Sequence, residues 1–443
     1  MFQSPVFLLP ISGQTSIAGT GTETLIRLTS GAEAIGDSDV KVCVLGAGLQ
    51  GVLCALELAE LGHDVVIVDA AEQAISQASL HNEGKIHLGY VYAKDTSGKT
   101  AHLMAEAATR FSRLLDRWWP EADIEATASD PFDYLVMPNS LEAADWLAAR
   151  YRQIDQSLSA RLHTPGRSYL GRLELRPAHP LERAEFHSRY NAEFATAAFR
   201  TEERAIDLTR MAKVLRDALA VSPRVECRWN TKVKTVSETA NGAFKVETEG
   251  DASDGPYDTV INALWSDRLR VDETIGIKTN RPFMFRQKLA NRIQLPASPA
   301  GAKSVTMVIG PFGDFVSLPS GSCYLSWYPS GCLRRTTETA PPPNWNHTRE
   351  TTINAAVKDS FAELSKRIRG LDCLIDQSTE VTSVPGIIFC WGDTDVDDPD
   401  SELHHRHDVG INTYRPGYHS IDTGKLTLAP LFAAQLAQRI GPI

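Results

Sequence analysis

The sequence has no CxxC pair. Its seven cysteines, Cys43, Cys54, Cys227, Cys323, Cys332, Cys373 and Cys390, are scattered along 443 residues. An odd, dispersed set argues against a disulfide framework and for a reducing compartment, so a cytoplasmic location is expected. There is no basic run or stripe, and 45 basic residues against 55 acidic ones give a formal charge of −10. Nucleic acid and anionic membrane surfaces are therefore not expected as partners. No apolar run approaches the roughly 18 residues that span a bilayer. The N-terminal stretch MFQSPVFLLPISG lacks a basic lead and is broken by Pro10, so a signal peptide is not expected. There is no internal repeat. The one acidic cluster, CWGDTDVDDPDSELHHRHD, opens like a calcium loop at Asp393, Asp395 and Asp397. It then has Asp398 where such a loop needs Gly and His404 where it needs Glu. HHRH has no zinc spacing. A polar loop with a short helix capped near Asp400 or Ser401 is expected there, and no metal.

What the sequence does contain begins at Val40. VKVCVLGAG is a mostly apolar strand running into a glycine turn, LQGVLCALELAELGH has helical spacing, and DVVIVDA is a second strand. A β–α–β unit of about 30 residues with buried strands implies a parallel sheet. Helices are predicted over 101–118, 140–160, 207–220 (capped by Asp207), 351–370 and 427–440. TKVKTVSETANGAFKVETEG alternates around Asn241-Gly242, a hairpin signal. Residues 281–330 carry strands separated by Gly/Pro/Ser turns. The domain plan is an N-terminal extension (1–38), then a nucleotide domain (39–115, 191–270, 381–443) interleaved with a substrate domain (116–190, 271–380).

GAGLQG places Gly46, Gly48 and Gly51 in the G-x-G-x-x-G pattern, with Leu49 and Gln50 between them. The first glycine permits a tight turn, the second lets backbone approach a pyrophosphate, and the third allows close helix–strand packing. The phosphates of a dinucleotide would sit on the helix N-terminus, where free N–H groups and the dipole favour negative charge. Asp69, at the end of the second strand, is placed to accept hydrogen bonds from ribose hydroxyls. This fingerprint serves NAD and FAD alike.

The second strand then runs into SLHNEGKIHLGYVY instead of another β–α unit. Here the chain resembles the D-amino-acid-oxidase-like (DAO) family of FAD-dependent oxidoreductases. That family carries Ser, Asn or Ser, and an (I/V)H-x-G element in this loop, matched by Ser79, Asn82, His87 and Gly89. YRPGYHSIDTGKLTLAP resembles its late flavin-contacting turn, matched by Gly424, Lys425, Leu426 and Thr427. TKVKTV and VINAL agree as well, and place Val233, Ala263 and Leu264 beside the cofactor. The resemblance implies an α/β fold, with a Rossmann-type FAD domain interleaved with an α+β substrate domain on a mixed, largely antiparallel sheet. It also implies bound FAD and a small-molecule substrate.

A flavin oxidoreductase needs a substrate C–H held against the flavin, and donors at the ring edge where negative charge develops. Lys425 and the helix start beside it are candidates for the donors. His87 is a candidate flavin contact or acid–base group. Arg286, among the apolar residues of RPFMFRQKL, and Arg415, in an RPG turn similar to one in glycine-oxidase-like members, are candidate carboxylate clamps. The alternation of RPFMFRQKL puts Arg281 with Phe283 and Phe285, and Arg286 with Met284 and Lys288. Tyr324, Trp327 and Tyr328 are candidate pocket walls, and Cys390 falls near a covalent flavin tether of some relatives. The expected reaction is hydride removal from a carbon bearing an amine, with the electrons passing to O2 or another acceptor. The alternatives are a 2-hydroxy acid or sugar-derived alcohol as substrate, a flavin monooxygenase, or a non-catalytic flavin-binding protein.

Overall fold

The computed structural model describes residues 41–250, 253–297 and 302–442. The expected extension 1–38 lies outside them. Strand β1 (Lys41–Leu45) is buried from Val42 to Leu45, helix α1 (Leu49–Glu60) from Leu49 to Leu58, and strand β2 (Asp64–Val68) from Val65 to Val68. Apolar runs of this kind belong to parallel strands covered on both faces. They lie in a six-stranded sheet whose order is Gly410–Arg415, Tyr418–Asp422, Thr259–Asn262, β1, β2, Val225–Arg228. All neighbours are parallel except the Gly410–Arg415 edge. The chain leaves β1 for β2 on one side and later returns to Thr259–Asn262 on the other. The strand order thus reverses at β1, and its C-terminal end opens a crevice for a ligand. Helix α1 is buried on nearly every side, enclosed by the sheet and the terminal helix Ala429–Ile440.

A second, nine-stranded sheet is mixed and mostly antiparallel. Its long member Phe283–Gln294 pairs with Glu380–Trp391 over its whole length, from Phe283↔Trp391 to Gln294↔Glu380. Ser322–Trp327, Gly313–Ser317, Val305–Val308 and Asp133–Val136 follow in order, and the last two are parallel. The fold is therefore the expected α/β class: a Rossmann-type layer joined to a substrate layer of mixed sheet.

Asp207 caps the helix Leu208–Val221 by accepting the Thr209 and Arg210 N–H groups. The Asn241-Gly242 turn joins Val233–Glu238 to Phe244–Thr248, with Gly242 at φ +83°. The helix expected over 101–118 is instead two pieces, Lys99–Ala108 and Phe111–Leu115, broken where Thr109 turns its hydroxyl back onto the Ala105 carbonyl. In the acidic loop, Ser401 caps the short helix Glu402–His404. Among the described residues, no group of acidic, His or Cys side chains is placed to hold a metal, and no helix is long and apolar enough to cross a membrane.

Two buried titratable groups test this packing. Asp133 is fully buried and accepts from the Tyr190 hydroxyl (2.7 Å), Arg189 (3.1 Å) and Arg200. Asp133→Asn would leave two arginines facing a neutral amide, and an unfolding free energy lower by about 3 kcal/mol is expected in chemical denaturation. His419 is pushed down to about 4, by burial first and then by Arg439. A neutral buried imidazole must take a proton on unfolding, so its contribution is full above about pH 6.5 and is lost as pH falls toward 4. Tm should drop between pH 7 and 5, and less so in His419→Gln.

Candidate functional site

The glycine turn is dictated by contact. Gly46 has φ +94°, and a Cβ there would lie 2.8 Å from the Ala263 carbonyl oxygen. A Cβ on Gly51 would lie 1.8 Å from the Gly46 carbonyl oxygen. Only glycine allows strand and helix to meet this closely. Helix α1 begins at Gly48 with no side-chain cap and no acid in its first turn. The Leu49 N–H points to the Ser79 hydroxyl at 3.0 Å. At the end of β2, Asp69 accepts the Ala47 and Ala71 N–H groups at 2.6 and 2.7 Å, one on each oxygen, so each oxygen keeps a lone pair. The Ala263 N–H donates to Leu45, and the Leu264 N–H to the Asn262 side chain. Three strand ends thus converge on a helix start that its own cap residue, Gly48, leaves open, beside a carboxylate. This donor and acceptor set fits a dinucleotide's pyrophosphate and ribose.

The loop after β2 is held internally. Asn82 donates to the Ala78 and Ser79 carbonyls and accepts the Gly84 N–H, so its side chain shapes the turn. The chain then forms β3 (Lys85–Ile86), paired with Arg204–Ala205. Ile86 and Leu88 enter the core, while Glu83, Lys85 and His87 share the opposite face. Gly89 follows at φ +112°, leading into the short helix Tyr90–Tyr92.

That charged face meets three other elements. Lys85 donates to the Thr306 hydroxyl (2.6 Å) and Asp314 (2.8 Å) on the large sheet. Burial works against its charge, but Asp314, Glu83 and Glu203 outweigh it and hold the ammonium above its ordinary value. The His87 N–H donates to the Thr427 hydroxyl at 2.9 Å, and Thr427 turns its own proton to the Lys85 carbonyl at 3.3 Å. This couples the loop to the turn Gly424–Thr427. Glu83 lies 3.6 Å from His87 Nε2 and 3.7 Å from Lys425 Nζ. Burial raises the Glu83 pKa, but Lys425, His87, Lys85 and Lys288 together draw it well below the carboxylate range. Gln50 joins α1 to the same turn, donating to Ala429 and accepting from Thr423. The Gly424 N–H donates to Asp422, and Leu426 starts the single turn that precedes the terminal helix.

Thus Gly46, Gly48, Leu49, Gln50, Gly51, Asp69, Ser79, Ala263 and Leu264 gather at the crevice. Asn82, His87, Gly89, Gly424, Lys425, Leu426 and Thr427 gather along the adjoining loop and turn. Val233 opens its strand, with its carbonyl accepting from Arg270. Arg286 is buried, with Nη1 on the Tyr328 hydroxyl (2.7 Å) and near Asp395 (3.3 Å). Arg415 pairs with Glu238 (2.9 Å) and the Ile275 carbonyl (2.8 Å), and does not join the loop. Arg281 pairs with Glu402 and Asp408. Cys390 donates to the Met284 carbonyl within the sheet.

Sequence reasoning passed over Glu203, Asp314 and Lys288. Glu203 lies in TEERAI with no motif to mark it, and Asp314 and Lys288 sit among ordinary strand residues. The only local signal was the alternation Glu83-x-Lys85-x-His87, a charged face on a strand whose other face is apolar.

Asp69 offers a direct check of the crevice. Asp69→Ala should weaken FAD binding to the apoprotein about ten-fold or more, read by quenching of flavin fluorescence.

Residues 41–392 match the family model for FAD-dependent oxidoreductases (DAO). A 51-residue stretch is 47% identical to a D-amino acid dehydrogenase of Neisseria meningitidis, and covers 12% of each chain. A 104-residue stretch is 32% identical to the mitochondrial L-2-hydroxyglutarate dehydrogenase of Arabidopsis thaliana, covering 23% of this chain and 20% of that one. These matches span only about an eighth to a fifth of the relatives' length. Glycine oxidase from Geobacillus kaustophilus superposes with a TM-score of 0.65 at 16% identity, over 90% of this chain and 95% of that one. L-amino acid deaminase from Proteus vulgaris gives 0.60 at 16%, over 91% of each. At such identities the likeness concerns the fold alone. With the family model matched over most of this chain, the chain belongs to the DAO family of FAD-dependent oxidoreductases.

Proposed function

We propose that this oxidoreductase removes a hydride from a carbon bearing an amine, in an amino acid or similar small molecule. The carrying observation is the buried charged face Glu83–Lys85–His87, set between the crevice, the Gly424–Thr427 turn and the large sheet. Ala47, Gly48, Leu49 and Asp69 would hold the dinucleotide end of FAD, and Lys425 with the Leu426–Thr427 N–H groups would face the ring edge. FAD, when bound, supplies the two-electron acceptor for the substrate hydride.

The chain's own part is to bind, orient and move a proton. Glu83 lies 3.6 Å from His87 Nε2 and 3.7 Å from Lys425 Nζ, and its side chain is 17% exposed. A low-pKa carboxylate so placed suits an amine or ammonium donor. His87 Nε2 lies on the same side and takes the proton that the substrate nitrogen loses. Lys288, on the sheet face opposite Glu83, keeps its charge against burial through Tyr324, Asp314 and Glu83, and supplies positive charge for a substrate carboxylate. Arg286 binds Tyr328 and Asp395 through Nη1 and keeps its buried Nε without a partner, so it stays a candidate carboxylate clamp beside Lys288, whereas Arg415 is bound to Glu238 and the Ile275 carbonyl.

A 2-hydroxy acid is the second reading, favoured by the 104-residue likeness to L-2-hydroxyglutarate dehydrogenase. An anaerobic screen separates the two. The purified holoprotein is expected to be yellow and to bleach near 450 nm with an amino acid or amine. Bleaching by hydroxy acids alone would select the second reading. A colourless protein that takes up no FAD, or a flavin that no metabolite reduces, would overturn both.

A further inference from the structure

Three arginines are buried among the described residues, Arg268, Arg286 and Arg406, and they differ in company. Arg268 lies 3.8 Å from both Asp272 and Asp422, and its guanidinium stands 5.0 Å from the centre of the Phe389 ring. Arg286 donates to Tyr328 and Asp395. Arg406, 8% exposed, has nothing comparable. Its Nε is buried and unbonded, and its guanidinium makes no hydrogen bond, ion pair or ring contact with any described residue. The acids around it are engaged elsewhere. Glu402 pairs with Arg281, and Asp408 with Arg281 and His407. Asp95, next to the Thr100 that Arg406 touches, accepts the Ser97 and Thr100 N–H groups and faces His407. A guanidinium does not give up its charge in a protein, and a buried charge without a counter-ion is costly. An unpaired one therefore marks a place kept for an incoming anion.

The loop that carries Arg406 is tied to both halves of the site. At its start, Asp395 meets Arg286 Nη1 at 3.3 Å. Leu403 packs against Met284 and Cys390 of the large sheet. The Arg406 N–H donates to the Thr100 hydroxyl at 2.9 Å. Val409 then closes on the C-terminal turn, where a Cβ on Gly424 would lie 2.9 Å from its Cγ1. Ala101, the neighbour of Thr100, seats the other glycine of the site: a Cβ on Gly89 would lie 2.9 Å from the Ala101 Cα. Arg406 is thus held between the segments that carry Gly89 and Gly424 and the strand Phe283–Gln294. On that strand Met284 alternates onto one face with Arg286 and Lys288.

We propose that Arg406 is a second anion subsite of this enzyme. It receives a carboxylate at the far end of the substrate, while Lys288 and Arg286 take the carboxylate next to the reacting carbon. The substrate class is then an amino acid whose side chain carries its own acid group. This rests on the oxidoreductase reading above, which it narrows to dicarboxylates. A planar guanidinium matches the oxygens of a carboxylate or of a phosphate, so a phosphate of FAD is the other source of the same chemistry.

The FAD-loaded, full-length protein can be titrated by calorimetry with succinate and glutarate, and with butyrate and pentanoate, which match them in carbon number. The dicarboxylates are expected to bind about ten-fold or more tightly than the monocarboxylates. In Arg406→Met that advantage should fall below about two-fold, with butyrate affinity and FAD content held within about two-fold of the wild type, and Arg406→Lys should recover part of it. Equal affinity for both series in the wild type would overturn the inference whether or not any variant folds. So would an Arg406→Met protein that keeps the preference. A variant that loses FAD instead assigns the guanidinium to a cofactor phosphate and also defeats the subsite. The anaerobic screen separates this proposal from the amine reading. Bleaching by acidic 2-hydroxy acids alone would defeat the amine reading and leave the subsite standing. Bleaching by neutral amino acids and not by acidic ones would do the reverse.

Discussion

Three carboxylates and three ammonium groups share one seam of this protein, and the site depends on their balance. Glu83, Glu203 and Asp314 face Lys85, Lys288 and Lys425, with His87 among them. Charges taken from water into such a place are tolerated only where each is offset by a near partner. The partners come from different parts of the chain: the loop after β2, the segment before Arg204–Ala205, the large sheet, and the C-terminal turn. No one of these could bury its charges alone. The compensation that makes the seam affordable also sets the loop, the sheet and the turn in register.

The backbone contributes its own coupling, because one hydroxyl, that of Thr427, accepts from His87 and donates to Lys85, and so closes the loop onto the start of the terminal helix. The crevice works differently. It relies on glycines and strand ends rather than side-chain charge, and its geometry follows from how closely Gly46 and Gly51 bring backbone to backbone.

The two halves of the site were unequally legible. A strand, a glycine turn, a helix and a terminal acid lie within thirty residues of one another, and their chemistry is local. Asp69 could be placed because strand length and turn geometry leave it nowhere else. The alternation of Glu83, Lys85 and His87 against Ile86 and Leu88 is local too, but the charged face is not wet: Lys85 and His87 are buried, and only the fold supplies what covers them. By contrast, the partners of Arg286 and Arg415, Asp395 and Glu238, lie 109 and 177 residues away and could not be foreseen from local spacing. Whether an arginine is free or already paired is a property of the folded surroundings.

The sequence by itself determined the β–α–β unit, the fingerprint at its turn, the hairpin at Asn241-Gly242 and the cap at Asp207, because each is governed by neighbours within a few turns of the chain. The loop after β2 carries the family resemblance, and that resemblance is what implied FAD. Only the tertiary structure decided that Glu203 stands behind His87, that Asp314 and Thr306 receive Lys85, and that the terminal turn clasps the loop. These contacts join residues from 115 to 340 positions apart. Burial and long-range pairing selected them, and nothing in local residue spacing encodes either.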